Sequence, residues 1–312
     1  MTRKRRGRPL HGWLVLDKPQ GMTSAQAVAA VRRHFDAAKA GHGGTLDPLA
    51  TGVLPIAFGE ATKTMAYAVA GRKTYRFSVR WGERRETDDV DGRLVEQNAH
   101  RPTEAEIRAA LPTFTGRIEQ VPPAYSAIKI DGKRAYARAR KAEVVTLAAR
   151  TVEVASMTLI DVPDPDHATF EVVCGKGTYM RSLARDLGEA LGTSGCIAAL
   201  RRLAAGPFTE NRAISLDYLT SLGHDAPALK HLLPVETGLD DIPALALTEE
   251  QAARLRHGQA IQMLLGDDHR QAQRSTAFEK EGAVVCAMSA GRPVAVARLA
   301  GGTLRALRVL NL

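Results

Sequence analysis

Residues 41–52 read Gly41-His42-Gly43-Gly44-Thr45-Leu46-Asp47-Pro48-Leu49-Ala50-Thr51-Gly52. Glycines at 41, 43 and 44 allow positive φ and a close backbone approach to a ligand. Their N–H groups can form an anion-binding nest. The segment is not a dinucleotide fingerprint, because Leu46 stands where GxGxxG needs its last glycine. The chain also has no GxxxxGK phosphate loop ending in serine or threonine. Asp47 precedes a proline, which pushes its backbone out of the α region and holds a carboxylate on an extended segment. Taken alone, Asp47-Pro48 reads first as a turn and His42 as an ordinary loop histidine.

Outward from this loop the chain alternates short strands and helices. Residues 13–16 read as a short strand, and Lys18-Pro19-Gln20-Gly21 as a turn. Thr23 or Ser24 can cap a helix running to about Phe35. Residues 53–58 are apolar but too few to separate a buried strand from a helical turn. Tyr75, Phe77, Val79 and Trp81 alternate with Arg76, Ser78 and Arg80, the pattern of a half-buried strand. Tyr75 is then either a core aromatic or a ring that stacks on a base and offers a phenol for proton transfer.

Thr103 with Glu106 signals a capping box for a helix to about Leu111. Tyr125 through Ile130, followed by Asp131-Gly132, predicts a hairpin leading into a basic helix that ends near Arg140. Residues 170–174 read as a strand, Gly175-Lys176-Gly177-Thr178 as a turn, and Tyr179 to about Leu191 as a helix. Helix N-termini favour anions, so Arg181 is either a surface residue or one that seeks a carboxylate or phosphate. Leu200-Arg201-Arg202-Leu203 reads either as core leucines beside RNA-facing arginines or as an ordinary buried strand edge. With no regular βαβ rhythm, the expected class is α+β with a mixed sheet.

The chain has 312 residues, enough for two domains, with 45% hydrophobic and 25% charged residues. Its net charge is +9, and Arg3, Lys4, Arg5, Arg6 and Arg8 crowd the start. Such an arm is either merely solvated or binds a polyanion. Basic charge alone does not separate nucleic acid from a membrane surface. No stretch approaches a membrane span or a signal core. Three dispersed cysteines without CxxC, and nine histidines with no pair three or four apart, point away from disulfides and metal. The expectation is a cytoplasmic protein without metal or cofactor.

The expected domains are a disordered basic tail (1–10), a catalytic domain (11–222, with an insertion at about 120–150), a linker (223–244) and a β-rich domain (245–312). In the last, Thr248 with Gln251 caps a helix ending at His257-Gly258. Strands follow near 283–287, 294–298 and 304–309, around a polar loop at 266–281.

The ordered set of motifs resembles the B-type family of pseudouridine synthases, the bacterial enzymes of tRNA position 55. The likeness runs from about His11 to Phe208. It includes Leu16-Asp17-Lys18-Pro19, the 41–55 loop, Gly59-Glu60-Ala61-Thr62-Lys63 and Lys73-Thr74-Tyr75-Arg76. It continues through Asp89-Val90-Asp91-Gly92, Tyr125-Ser126-Ala127, Lys176 to Arg181, and Leu200 to Leu203. The tail is similar to the family's PUA-like RNA-binding domain. Two positions depart: Gly43 stands where the family carries threonine or alanine, and Arg85 where threonine is common.

The resemblance implies a mixed-sheet catalytic core with an RNA-gripping insertion, and a small PUA-like C-terminal domain. It implies that the T-loop uridine at position 55 is flipped out and isomerised to its C-glycoside without cofactor. Asp47 would be the catalytic carboxylate, Arg181 its ion-pair partner and Tyr75 the stacking, proton-handling aromatic. Tyr179 and Leu200 would contact the base, and His42 would fill the vacated place. Lys18 would support the pocket floor, and Lys129 would grip RNA with its basic neighbours. The partner would be the T arm of tRNA, with no membrane, no nucleotide cofactor and a monomeric chain. A pure RNA-binding or tRNA-folding protein, which can also be a second role, is the reading from another class. Within the enzyme class the main rival is a pseudouridine synthase acting on another RNA, and a metabolic enzyme with an Asp-Tyr-Arg site is a third.

Overall fold

Period-two alternation in Lys73–Trp81 buries one face of a strand, where Phe77, Val79 and Trp81 are at most 1% exposed. In the computed structural model this strand runs through the middle of a ten-stranded mixed sheet. The structure describes residues 7–126, 129–130, 133–134, 147–223, 226–263 and 282–312.

The sheet contains β1 (Gly12–Lys18), β2 (Ala40–His42), β3 (Thr51–Phe58), β4 (Lys73–Trp81) and β5 (Gly116–Gln120). It continues with β6 (Arg150–Asp164), β7 (His167–Cys174), β8 (Gly195–Ala205), β9 (Phe208–Thr209) and β10 (Ile214–Ser215). Their order is β10-β1-β3-β8-β4-β7-β6-β5, with β2 added to β3 and β9 to β8. The β1/β10 and β3/β8 pairs are parallel, and the rest are antiparallel. The ambiguous stretch after Gly52 is therefore a strand. β3 is held between β1 and β8, and seven of its eight residues are buried. At Gly52, φ is +95° and a Cβ would lie 2.3 Å from the Arg202 carbonyl oxygen, so only glycine lets β3 and β8 approach.

Two helices matter for the site. Helix α1 (Ser24–His34) starts at a capping box made by Thr23 and Gln26 and buries Ala27 and Val31 against Leu14, Leu16 and Ile56. Helix α2 (Met180–Ala190) sets Met180, Leu183, Ala184 and Leu187 against Phe77, Val79 and Phe170. Tyr75 and Leu200 pack against both of these cores, at the seam between them.

A separate five-stranded sheet is built from Ala244–Ala246, Ile261–Gln262, Ala283–Ser289, Arg292–Ala300 and Thr303–Val309. Helix α3 (Glu249–Arg256), capped by Thr248 and Gln251, packs on it. Cys286, Val296 and Leu310 join Trp13, Phe208 and Leu239 in one apolar cluster, which docks this sheet on the larger one. Lys63 Nζ donates to the Val309 carbonyl at 2.8 Å, and the Asn311 N–H donates to Glu60 at 2.8 Å.

The proline-containing stretch between the sheets carries a helical turn at Ala226–Leu229 and a 3-10 turn at Val235–Leu239. Leu233 and Trp13 exchange backbone hydrogen bonds at 2.7 and 2.8 Å, so this stretch is tied to β1 rather than spanning freely. Order also begins ahead of His11. Arg8 takes a backbone bridge to Ala37, with Ala38 N–H donating to the Arg8 carbonyl at 2.9 Å. Lys129–Ile130 pairs with Lys133–Arg134 as a hairpin. The Lys129 side chain, the basic helix expected near Arg140, the arginine-rich start at 1–6 and the polar loop at 266–281 lie outside the described residues.

Candidate active site

Asp47 sits in the loop between β2 and β3, and both sides of it are fixed. Ser24, the first residue of α1, exchanges hydrogen bonds with the Leu46 backbone at 2.8 and 2.9 Å. Lys18, with none of its surface exposed, sends Nζ to the carbonyls of Pro19, Met22 and Pro48 at 2.8, 2.7 and 3.3 Å. Burial pushes the Lys18 ammonium down to about 8; the Asp47 charge opposes this, and Arg202 adds to it.

Arg181 enters from the first turn of α2. Its Nη2 lies 2.9 Å from Asp47 Oδ2, and its side chain is 6% exposed against 39% for Asp47. The carboxylate therefore opens to solvent while its partner is enclosed. Arg181 also donates to the Thr87 and Tyr125 carbonyls, each at 2.9 Å. Its Nε is buried without a hydrogen bond, 3.9 Å from Asp89 Oδ2. Burial raises the Asp89 carboxyl above its usual range, with Thr87 and Arg181 pulling the other way. Arg85 holds the turn that carries Asp89, donating to the Val90 and Gly92 carbonyls at 3.1 and 2.9 Å.

The aromatic side comes from strand register. Tyr75 pairs with Arg202 and Phe77 with Leu200 across β4 and β8, so Tyr75, Leu200 and Arg202 share a face. Burial raises the Tyr75 phenol, and a hydrogen bond and charge from Arg202 oppose the rise. Tyr179 caps the start of α2. Its N–H donates to Gln120 Oε1 at 2.8 Å, and Gln120 Nε2 donates back to its carbonyl at 3.1 Å. The Arg150 guanidinium lies 5.0 Å from the centre of the Tyr179 ring, a cation–π contact.

Asp47, Tyr75, Tyr179, Arg181, Leu200 and Arg202 line one cleft of about 330 Å³, within the size range of small-ligand sites. A carboxylate, a guanidinium, a phenol and an apolar wall thus converge on a space that can admit a flat ring. His42 and Lys18 are not in the cleft wall. Lys18 lies beneath the Asp47 loop, and His42 stands on β2 opposite Ile56 with its Nδ1 buried and unbonded. Burial and Arg202 lower the His42 imidazole. Among the described residues, no group of three or more His, Cys, Asp or Glu is arranged to hold a metal ion.

One reading needs correction. Arg201 and Arg202 do not both face outward, because adjacent strand residues point to opposite faces. Arg201 pairs with Asp17 at 2.9 Å, whereas Arg202 is 1% exposed beneath the glycine loop. Alternation from Leu200 was the signal that could have placed it. Gln120 and Arg150 carried no local signal, since their roles arise from contacts with Tyr179, far along the chain from both. Gly43 has a local reason here: a Cβ would meet Val69 Cγ1 at 2.9 Å.

The family model described as TruB family pseudouridylate synthase (N terminal domain) matches residues 32–180, and that for the tRNA pseudouridylate synthase B C-terminal domain matches 181–240. The chain is 52% identical over 312 residues to a tRNA pseudouridine synthase B of Rhodospirillum rubrum, covering 100% of both chains. It is 48% identical over 313 residues to one of Caulobacter vibrioides, again covering 100% of both. Among solved structures it superposes on a chain of a Cbf5-Nop10-Gar1 complex with a TM-score of 0.73 at 24% identity, covering 100% of this chain and 91% of that one. That likeness carries the fold, and the full-length identity to the bacterial enzymes carries the family: the chain belongs to the TruB family of pseudouridylate synthases.

Proposed function

We propose that this chain isomerises the T-loop uridine of tRNA, at position 55, to pseudouridine. The observation that carries the reading is the half-exposed Asp47 carboxylate, paired with buried Arg181, facing Tyr75 across a cleft of one-ring size. The chain is also half identical, over its full length, to an enzyme named tRNA pseudouridine synthase B.

In the reaction the N1–C1′ bond breaks, a C5–C1′ bond forms, the C5 proton leaves to solvent and the freed N1 takes up a proton, so the product is an isomer of the substrate. Asp47 is the catalytic carboxylate. Arg181 fixes its direction, and Tyr75 stacks on the base and handles the proton. Tyr179 and Leu200 contact the base. A target inside a folded loop must be flipped out, at a cost of about a few kcal/mol. His42 fills the vacated place, and its unbonded Nδ1 means that movement breaks no hydrogen bond there. Lys129 and its basic neighbours grip phosphates, which set register rather than read bases. Residues 11–222 act as the catalytic domain and 245–312 as an RNA-binding domain, in a cytoplasmic monomer.

The test is tritium release from a T-arm stem-loop carrying 5-tritiated uridine. Release is expected from the wild type and not from Asp47→Asn, with stem-loop binding largely kept in the variant. Normal turnover by Asp47→Asn removes this carboxylate from the mechanism. Tight binding without release from either protein assigns an RNA-folding role instead.

A further inference from the structure

Arg202 is the most buried arginine near the cleft and stands outside the reaction as described above. It is 1% exposed. Its Nε donates to the Val53 carbonyl at 2.8 Å and its Nη2 to the Gly44 carbonyl at 3.0 Å. Val53 belongs to β3, and Gly44 to the loop that carries His42 and Asp47. Its cross-strand partner on the same sheet face is Tyr75, whose phenol it lies near enough to oppose the rise that burial causes. Among the described residues its hydrogen-bond acceptors are thus two backbone carbonyls, with the Tyr75 phenol beside it on the same face. The adjacent Arg201 differs, pairing with Asp17 at 2.9 Å and Glu210 at 3.3 Å.

A cation enclosed without a carboxylate is costly unless its dipolar partners are well placed. Its fixed fork of donors gives it direction as well as charge. Gly44, with φ at +78°, would place a Cβ 3.3 Å from Arg202 Nη1, so the loop is folded directly onto the guanidinium. One side chain therefore touches the phenol strand, the aspartate loop and the strand that follows that loop.

We infer that Arg202 is a positioning residue, tying the Tyr75 phenol to the glycine-rich loop so that phenol and Asp47 carboxylate meet a flipped base in fixed register. The inference rests on the proposed isomerisation for its kinetic consequence, but not for its structural one. Arg202 acts through Tyr75 and the loop, and its opposition to the burial-driven rise of the phenol follows from the same contact.

Two readouts test it separately. In the first, the protein is labelled with 3-fluorotyrosine, and the Tyr75 ¹⁹F resonance is assigned by its disappearance in Tyr75→Phe. Arg202→Met and Arg202→Lys are expected to move this resonance while leaving that of the distant Tyr218 in place. An unmoved Tyr75 resonance in either folded variant overturns the inference, whatever the RNA substrate proves to be. Arg202→Lys keeps the charge and serves if the methionine variant does not fold.

In the second, tritium release from the T-arm stem-loop is followed with Arg202→Lys. The expected result is a fall in kcat of about 100-fold, the scale of a misplacement near 1 Å, with KM changed less than about threefold. A rise in KM at unchanged kcat overturns the positioning role and makes Arg202 a binding residue. Failure of the wild type to release tritium refutes the proposed reaction, and the fluorine readout then still decides on Arg202.

Discussion

Replacing Arg181 by methionine removes the only cation within 4 Å of the Asp89 carboxylate among the described residues. The Thr87 and Tyr125 carbonyls lose their donor as well. Asp89 is 6% exposed, so its charge is left in a poorly solvated place. Breaking a buried pair in this way costs about 3–5 kcal/mol. The Asp47 contact adds little to that figure, because Asp47 is 39% exposed and screened by water. The cost depends on pH with a definite sign. Burial already raises the Asp89 carboxyl, and loss of Arg181 raises it further. A raised carboxyl in the folded state holds a proton that the unfolded chain has released, so stability falls as pH rises through the folded value. The variant's deficit is therefore smallest in acid, where Asp89 is neutral, and largest once Asp89 is ionised. Urea unfolding of wild type and Arg181→Met at pH 5 and pH 8 measures this, and shared acid effects cancel in the difference. A deficit within the about 0.5 kcal/mol of an ordinary surface change, or one equal at both pH values, refutes the reasoning.

Lys18→Met tests the pocket floor: with the ammonium at about 8 when folded and 10.5 when free, the difference from wild type is flat below pH 8. Between pH 8 and 10.5 the unfolded chain binds more protons, so the wild type gains up to about 3 kcal/mol on the variant, which urea titrations across that range will show. Gly44→Ala should cost about 1–2 kcal/mol for left-handed backbone alone and should move the Tyr75 fluorine signal, because its Cβ meets Arg202. Lys63→Met loses the hydrogen bond to Val309 that links the two sheets. Thermal melting should report about 1 kcal/mol, and KM should rise for whole tRNA while kcat on the T-arm stem-loop stays unchanged.

The parts that were legible in the sequence are those with a local cause. Thr103 with Glu106 and Thr248 with Gln251 form reciprocal capping boxes where the pattern placed them, and of the two cap candidates Thr23 and Ser24 it is Thr23 that caps, in a box with Gln26. Alternation in residues 75–81 placed Tyr75 on a strand face, and Tyr179 starts the helix that delivers Arg181. Local pattern could not tell a strand from a turn after Gly52, since that depends on β1 and β8 flanking it. Nor could composition show that the proline-containing stretch before the second sheet is bound to Trp13, a contact made 220 residues away in register with β1. The roles of Asp47 and Arg181 entered through resemblance; the local reading of each left a turn and a surface residue open.

Lys18, Arg181 and Arg202 share a design that no short motif displays. Each is buried, and each directs donors to backbone carbonyls: Pro19, Met22 and Pro48 for Lys18, Thr87 and Tyr125 for Arg181, Gly44 and Val53 for Arg202. Carbonyl dipoles fix Lys18 and Arg202 without cancelling their charge, as a carboxylate would, and Arg181 adds to its carbonyls the ion pair with Asp47. Three such cations around one half-exposed carboxylate give the cleft a positive field that the fold, not solvent, maintains. A field set before substrate arrives costs no reorganisation when negative charge develops on a sugar, a base or a carboxylate. The glycines at 44 and 52 belong to this design, because each lets backbone lie against Arg202 where a side chain would hold it off.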